Sequence, residues 1–166
     1  MPYLKIIFRF FRMLMATYFK GVNSGVNLNI APGVKIYPSK FIKIGDNVMI
    51  GRDVIISTSK SGRSPIFIGD DVMIAHRSLI IGGNHEHSRI DIPMKNQGEG
   101  IQGAINIEND VWIGAGCTVL TGVTIGEGSI IGSGSIVTKD IPKYSIALGS
   151  PAKVIKKRKN EIVSSK

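Results

Sequence analysis

From Ile107 onward, aliphatic residues open every sixth position: Ile107, Ile113, Val119, Ile125, Ile131 and Val137. Four places further on in each unit stand Val111, Cys117, Val123, Ser129, Ser135 and Ile141, with glycine or another turn former between. A helical period of 3.6 cannot hold an aliphatic side chain at that step, whereas short strands joined by tight turns can. The pattern predicts an all-β solenoid in which three units make one triangular coil. The opening Ile or Val points into the prism, the small residue packs at the corner, and glycine supplies turns with positive φ. One coil cannot bury its own apolar side, so stability rests on stacking, at about 25 cal/mol per Å² of apolar surface removed from water.

Upstream the step is less regular but persists through Ile30, Val34 and Ile36, through Ile44, Val48, Ile50, Val54 and Ile56, and through Ile68, Val72, Ile74, Ser78 and Ile80. Residues Ser59 to Ser64 interrupt it as a small corner loop. A far longer excursion, 82–104, separates Ile81 from Ile105. Insertions in repeat folds map to one edge, and a loop of that length in a compact stack is usually functional.

The first twenty residues follow a different period: Leu4, Ile7, Phe8, Phe11, Leu14, Met15 and Tyr18 share one helical stripe, opposite Lys5, Arg9 and Arg12. This predicts an amphipathic α-helix within 1–24, too interrupted by basic residues to span a membrane. It either caps the open end of the stack or lies on anionic lipid at the inner membrane face. The solenoid is expected over 25–158 and a solvated tail beyond it, Lys157 to Lys166 reading as frayed basic residues.

Composition narrows the picture. A chain of 166 residues has room for one domain, and its 20 glycines recur at fixed intervals instead of forming a flexible tract. The single cysteine, Cys117, falls at an inward position and reads as core packing; it permits no internal disulfide and suits a reducing cytoplasm. The net charge of +9 is concentrated at the two ends without interleaved aromatics, which favours polyanionic ligands or lipid over nucleic acid.

The ordered set Asn84-His85, Asp110-Val-Trp-Ile-Gly114, Val123-Thr-Ile-Gly126, Ser135-Ile-Val-Thr-Lys-Asp140 and Gly149-Ser-Pro-Ala-Lys-Val-Ile155 resembles the hexapeptide-repeat acyltransferases, in particular the maltose, galactoside and capsular-polysaccharide O-acetyltransferase branch. The resemblance covers Ile68 to Lys156, over half of the chain. It implies a left-handed parallel β-helix, contrary to the usual right-handed crossover, and a homotrimer with active sites in the clefts between subunits.

The resemblance also implies acetyl-CoA as co-substrate, no metal, and a sugar or polysaccharide-precursor hydroxyl as acceptor. Acetyl transfer from a thioester needs one well-placed base and no covalent enzyme intermediate. The family's catalytic histidine falls on His85, and a backbone N–H at Ala115 would face the oxyanion, a donor worth about 2.7–4 kcal/mol in analogous sites. The coenzyme positions fall on Trp112, Ala115, Ser133, Thr138, Lys139, Lys153 and Lys156, with lysines where relatives carry tail arginines. Acceptor contacts fall on Ser57, Asn84 and Asp91. Either Asp91 or Glu86 could orient the His85 ring, although a solvated charge suits both. The carboxylate that follows the Ser57 position in relatives is not reproduced in the Ser59 to Ser64 loop, where Arg63 lies nearby instead, which leaves an acidic or phosphorylated acceptor and a different sugar altogether equally open.

His76 reads as an outward repeat position and His87 as a loop surface group. Three other readings share the fold: an amino-sugar N-acetyltransferase, a γ-carbonic-anhydrase-like zinc protein whose three widely spaced histidines His76, His85 and His87 do not reproduce, and a non-catalytic scaffold.

Overall fold

Alternation within each short strand decides which side chains enter the prism. In Ile42–Ile44 the two isoleucines are buried and Lys43 is exposed, whereas in Ile55–Ser57 only the central Ile56 is fully buried. The structure, a computed structural model, describes residues 22–159. The first coil is β1 (Asn23–Ser24), β2 (Asn29–Ile30) and β3 (Lys35–Tyr37), and the second is β4 (Ile42–Ile44), β5 (Met49–Ile50) and β6 (Ile55–Ser57). Above them lie β7 (Ile66–Ile68), β8 (Met73–Ile74) and β9 (Leu79–Ile81), then β10 (Ile105–Ile107), β11 (Trp112–Ile113) and β12 (Thr118–Leu120). The fifth coil is β13 (Thr124–Ile125), β14 (Ile130–Ile131) and β15 (Ile136–Val137), after which β16 (Ser145–Gly149) and β17 (Ala152–Lys157) close the stack.

Each strand pairs in parallel with its counterpart one coil away, giving three sheets: A with order β1-β4-β7-β10-β13, B with β2-β5-β8-β11-β14-β16-β17, and C with β3-β6-β9-β12-β15. This is the left-handed β-helix expected. The register keeps like over like, as in Ile66 with Ile105 on sheet A and Ile56 with Ile80 on sheet C. The sole antiparallel pair among these strands is β16 with β17, where the chain turns back to add an edge strand to sheet B. Both the opening aliphatic residue and the residue four places on are buried: Ile107, Val111, Ile113, Cys117, Val119, Val123 and Ile125 are each at most 2% exposed. Serines replace valine at some of these positions, and among the described residues no buried side-chain polar atom lacks a partner. Ser78 Oγ, for example, donates to the Gly114 carbonyl at 2.9 Å and accepts from the Cys117 N–H at 3.2 Å.

The glycines divide into two roles where the sequence suggested one. Those at the third position of a turn, such as Gly116 with φ of 66°, take the left-handed conformation as expected. Those directly after an isoleucine do not have positive φ. Gly69 is needed for close approach: the Asn109 side chain of the next coil reaches down to accept the Asp70 N–H at 2.9 Å, and a Cβ on Gly69 would stand 2.3 Å from its Oδ1. The same ladder runs down this edge, with Asp70 capping the Asp46 N–H and Asp46 capping the Val26 N–H. Gly69→Ala should therefore lose this cap or displace it, at a cost of about 1–3 kcal/mol in urea denaturation; an unchanged midpoint would contradict the ladder.

Two boundaries differ from the expectation. The solenoid begins with β1 at Asn23, paired with Lys43, so a helix cannot run through 24; the rest of the expected amphipathic helix, 1–21, lies outside the described residues. At the other end Lys157 completes β17, and Arg158 is pinned by the Asp110 carboxylate at 3.0 Å and the Gly128 carbonyl, so neither frays. Residues 160–166 lie outside the described residues.

Candidate active site

The expected site residues fall on two of the three prism edges and on sheet B. The excursion between β9 and β10 leaves from the edge joining sheets C and A, directly above the corner loop between β6 and β7. It is a hairpin, not an open loop. His85 and Glu99 form an antiparallel bridge, the Glu86 N–H donates to the Gly98 carbonyl at 3.1 Å, and the Gly100 N–H donates to the Asn84 carbonyl at 3.1 Å. Farther out, the Gln97 side chain donates to the carbonyls of Arg89 and Ile92 and accepts the Arg89 N–H.

Glu99 anchors this hairpin to the coil below. Its carboxylate accepts from the Ser61 hydroxyl at 2.8 Å and from Arg63 Nε at 3.0 Å, and those bonds, Ser61 first, hold its pKa below the usual glutamate range. Ser64 Oγ donates to Gln102 Oε1 at 2.7 Å and accepts the Gly103 N–H, tying the return strand of the hairpin to the same corner loop. Arg63 is thus engaged in an ion pair with Glu99.

The His85 side chain is exposed and makes no hydrogen bond among the described residues. Neither carboxylate considered as its partner reaches it. Glu86 accepts the N–H groups of Ser88 and His87, which lower its pKa, and Asp91 is paired with Arg89, which lowers its own. Asn84 is exposed beside His85, and Ser57 ends β6 half-buried beneath Ile81 at the base of the hairpin. Asp91 lies on the outer part of the hairpin, in the Arg89 pair instead of at its base.

Ala115 lies on a different edge, the one joining sheets B and C, between β11 and β12, and Ser133 stands one coil above it. Trp112 projects from sheet B, paired between Met73 and Ile130 and 47% exposed. Lys153 and Lys156 lie on β17, the edge strand of the same sheet. A cavity of about 520 Å³ beside Ile146 is ringed by Lys156, Lys157, Arg158 and Lys159. Thr138 and Lys139 follow β15 on the C–A edge, two coils above the His85 hairpin. The expected coenzyme residues therefore fall into two groups separated by the width of sheet C.

Cys117 is fully buried, its thiol donating to the Gly132 carbonyl at 3.1 Å, and burial raises its pKa, as befits a packing residue. His76 turns its Nδ1 down to accept the Arg52 N–H at 2.9 Å. Its neighbour Arg77 and Arg52 beside it were not singled out by the sequence. The available signal was the turn position itself, filled by arginine in Ile74-Ala-His-Arg-Ser78 and by glycine in Ile113-Gly-Ala-Gly-Cys117. A concavity of about 610 Å³ forms a trough on sheet A lined by residues such as Lys43, Phe67 and Glu108, and none of the expected site residues borders it.

Residues 104–139 match the family model for bacterial transferase hexapeptide (six repeats), and residues 41–75 match that for the hexapeptide repeat of succinyl-transferase. A galactoside O-acetyltransferase of Escherichia coli is 37% identical over 124 residues, covering 73% of this chain and 59% of the relative. Among solved structures, a hexapeptide-repeat acetyltransferase from Vibrio cholerae complexed with acetyl coenzyme A superposes with a TM-score of 0.76 at 30% identity, covering 88% of this chain and 76% of that one. A maltose O-acetyltransferase from Clostridium difficile gives 0.67 at 33% identity, covering 84% and 70%. The chain belongs to the hexapeptide-repeat transferase family. It spans 35% to 59% of the length of the curated relatives it matches.

Proposed function

We propose that the protein is an acetyl-CoA-dependent O-acetyltransferase that modifies a sugar or polysaccharide-precursor hydroxyl, working as a homotrimer with each active site shared by two chains. The observation that carries this reading is the division of the expected site residues between two prism edges. His85, Asn84 and Ser57 stand on the C–A edge, and Ala115, Ser133 and Trp112 on or beside the B–C edge, with sheet C between them. No single prism can bring those edges together, but a neighbouring copy can lay one against the other. Sheet C suits such contact: its outward residues include Ile55, Leu79, Ile81 and Ile136, partly exposed, with Tyr37 at 53% and Leu120 at 37%. An apolar face of that kind marks an interaction surface.

The residues fit the coenzyme on chemical grounds. Lys153, Lys156 and Lys159 are exposed and belong to no ion pair among the described residues, so their ammonium groups are available to phosphates. Nothing stands within 4 Å of where a Cβ on Gly116 would lie, which leaves the edge open beside Ala115. The coenzyme supplies an acetyl group already activated as a thioester. His85 takes the proton from the acceptor hydroxyl as its oxygen attacks the acetyl carbon, and returns that proton to the sulfur as the carbon–sulfur bond breaks. The Ala115 N–H faces the negative charge that develops on the acetyl oxygen. Asn84 and Ser57 position the acceptor, and Thr138 and Lys139 reach the coenzyme from the C–A edge.

Acetyl-CoA at about 100 times its dissociation constant should stabilise the protein by about 2.7 kcal/mol, read as a rise of roughly 5–10 °C in Tm. Labelled acetyl-CoA offered with nucleotide-linked and lipid-linked sugars should give a hydroxylamine-labile ester. The absence of any thermal shift would overturn the coenzyme reading in favour of a scaffold, and an amide product would move the activity to an amino-sugar acceptor.

A further inference from the structure

Five arginines are described, and three of them are neutralised: Arg63 by Glu99, Arg89 by Asp91 and Arg158 by Asp110. The other two, Arg52 and Arg77, have no ion pair among the described residues and line one cavity of about 460 Å³ on the B–C edge, with Asp53, His76, Ala115 and Gly116. Ala115 forms part of this wall, so the cavity adjoins the place assigned to the acetyl group.

Arg77 stands where the fold does not favour it. The equivalent turn position in the other coils holds Gly33, Asp53, Gly116 and Gly134, and Arg77 shares their positive φ, at 58°. Glycine adopts that conformation without steric cost and aspartate tolerates it, but a long side chain gains nothing from it. An unfavourable backbone state kept at a cavity wall points to use of the side chain.

His76 is also held for a purpose. Nδ1 accepts the Arg52 N–H, which leaves Nε2 as the ring nitrogen able to donate within the cavity that Arg52 and Arg77 also line. The one carboxylate in the wall is directed elsewhere. Asp53 lies against the turn one coil below, where a Cβ on Gly33 would be 2.0 Å from its Oδ1.

We propose that Arg52, His76 and Arg77 bind an anionic group of the acceptor, a carboxylate or a phosphate, while the hydroxyl to be acetylated lies beside Ala115. This rests on the acetyl-transfer reading and adds the substrate class that the reading leaves open. Two guanidinium groups and an imidazole N–H donor match an oxyanion by charge and by hydrogen-bonding chemistry, and a neutral sugar would leave both charges unmatched.

The test is equilibrium binding of glucose, glucuronic acid and glucose phosphate to the full-length protein at low salt, with and without coenzyme A. The charged sugars should bind at least about tenfold tighter than glucose. Whichever of the two binds more tightly identifies the carboxylate or the phosphate as the recognised group. Arg77→Gly and Arg52→Gln should each remove at least about fivefold of the preference, and Arg77→Gly should melt no lower than the parent because glycine takes this turn freely. The proposal is overturned if the parent binds all three alike, if the preference survives both substitutions together, or if the variants weaken coenzyme A binding instead. Failure of acetyl transfer itself would appear separately, as the missing thermal shift with acetyl-CoA, and the sugar preference can be read without the coenzyme.

Discussion

His85→Ala should lower turnover by at least about 100-fold, the scale of a lost general base, and leave the fold intact. The side chain is exposed and makes no hydrogen bond among the described residues, while the hairpin around it is held by backbone bonds and by Glu99, none of which the substitution removes. Stability should change by no more than about 0.5 kcal/mol, the ordinary range for a surface position. kcat and kcat/KM should fall together, because the proton transfer occurs only in the transition state. His85→Gln separates the chemical role from a merely spatial one: an amide of similar reach cannot accept the proton, so it should be as inactive as alanine. Near-parental turnover in either variant, measured with saturating acetyl-CoA, would remove the imidazole from the reaction.

Ile125→Asp should abolish folding of the upper coils. Ile125 is fully buried, paired with Ile107 below it and bridged to Ile141 above it. A carboxylate placed there has no partner and no water, and the resulting loss of more than about 4 kcal/mol is a large part of the roughly 5–15 kcal/mol that holds a domain together. Stacking spreads the damage, since each coil is stabilised by its neighbours. Ile125→Val should cost only about 0.5–1.5 kcal/mol, so the pair separates charge from lost volume. Circular dichroism and urea denaturation read both; an aspartate variant within about 1 kcal/mol of the parent would mean that the prism interior is wet.

Much of this architecture could be read from the chain because the solenoid writes its period into local sequence. The six-residue step from Ile107 places β10 through β15, and the gap between Ile81 and Ile105 places the hairpin to within a residue. The left hand of the coil came from the family resemblance, since spacing alone is neutral to handedness. Contacts with no local signature depend on which side chains the stacking brings together. Asn109 caps Asp70 across 39 positions, and Arg158 meets Asp110 across 48, so neither the crowding of Gly69 nor the anchoring of the terminal strand has a local signature. The pairing of Arg63 has no local signature for the same reason, its partner Glu99 being 36 residues away. Arg77 fills with arginine a turn position that glycine takes elsewhere, but the cavity it lines is built by three coils together and has no local signature.

Mixing two inactive variants tests the shared active site most directly. His85→Ala chains keep an intact groove and Ala115→Trp chains keep the base, so trimers reassembled from equal amounts of the two should recover about a quarter of the parental sites, the fraction of interfaces that pair a good base with a good groove. Activity that stays at the level of the separate variants, with mixed trimers shown to have formed, would mean that base and groove belong to the same chain.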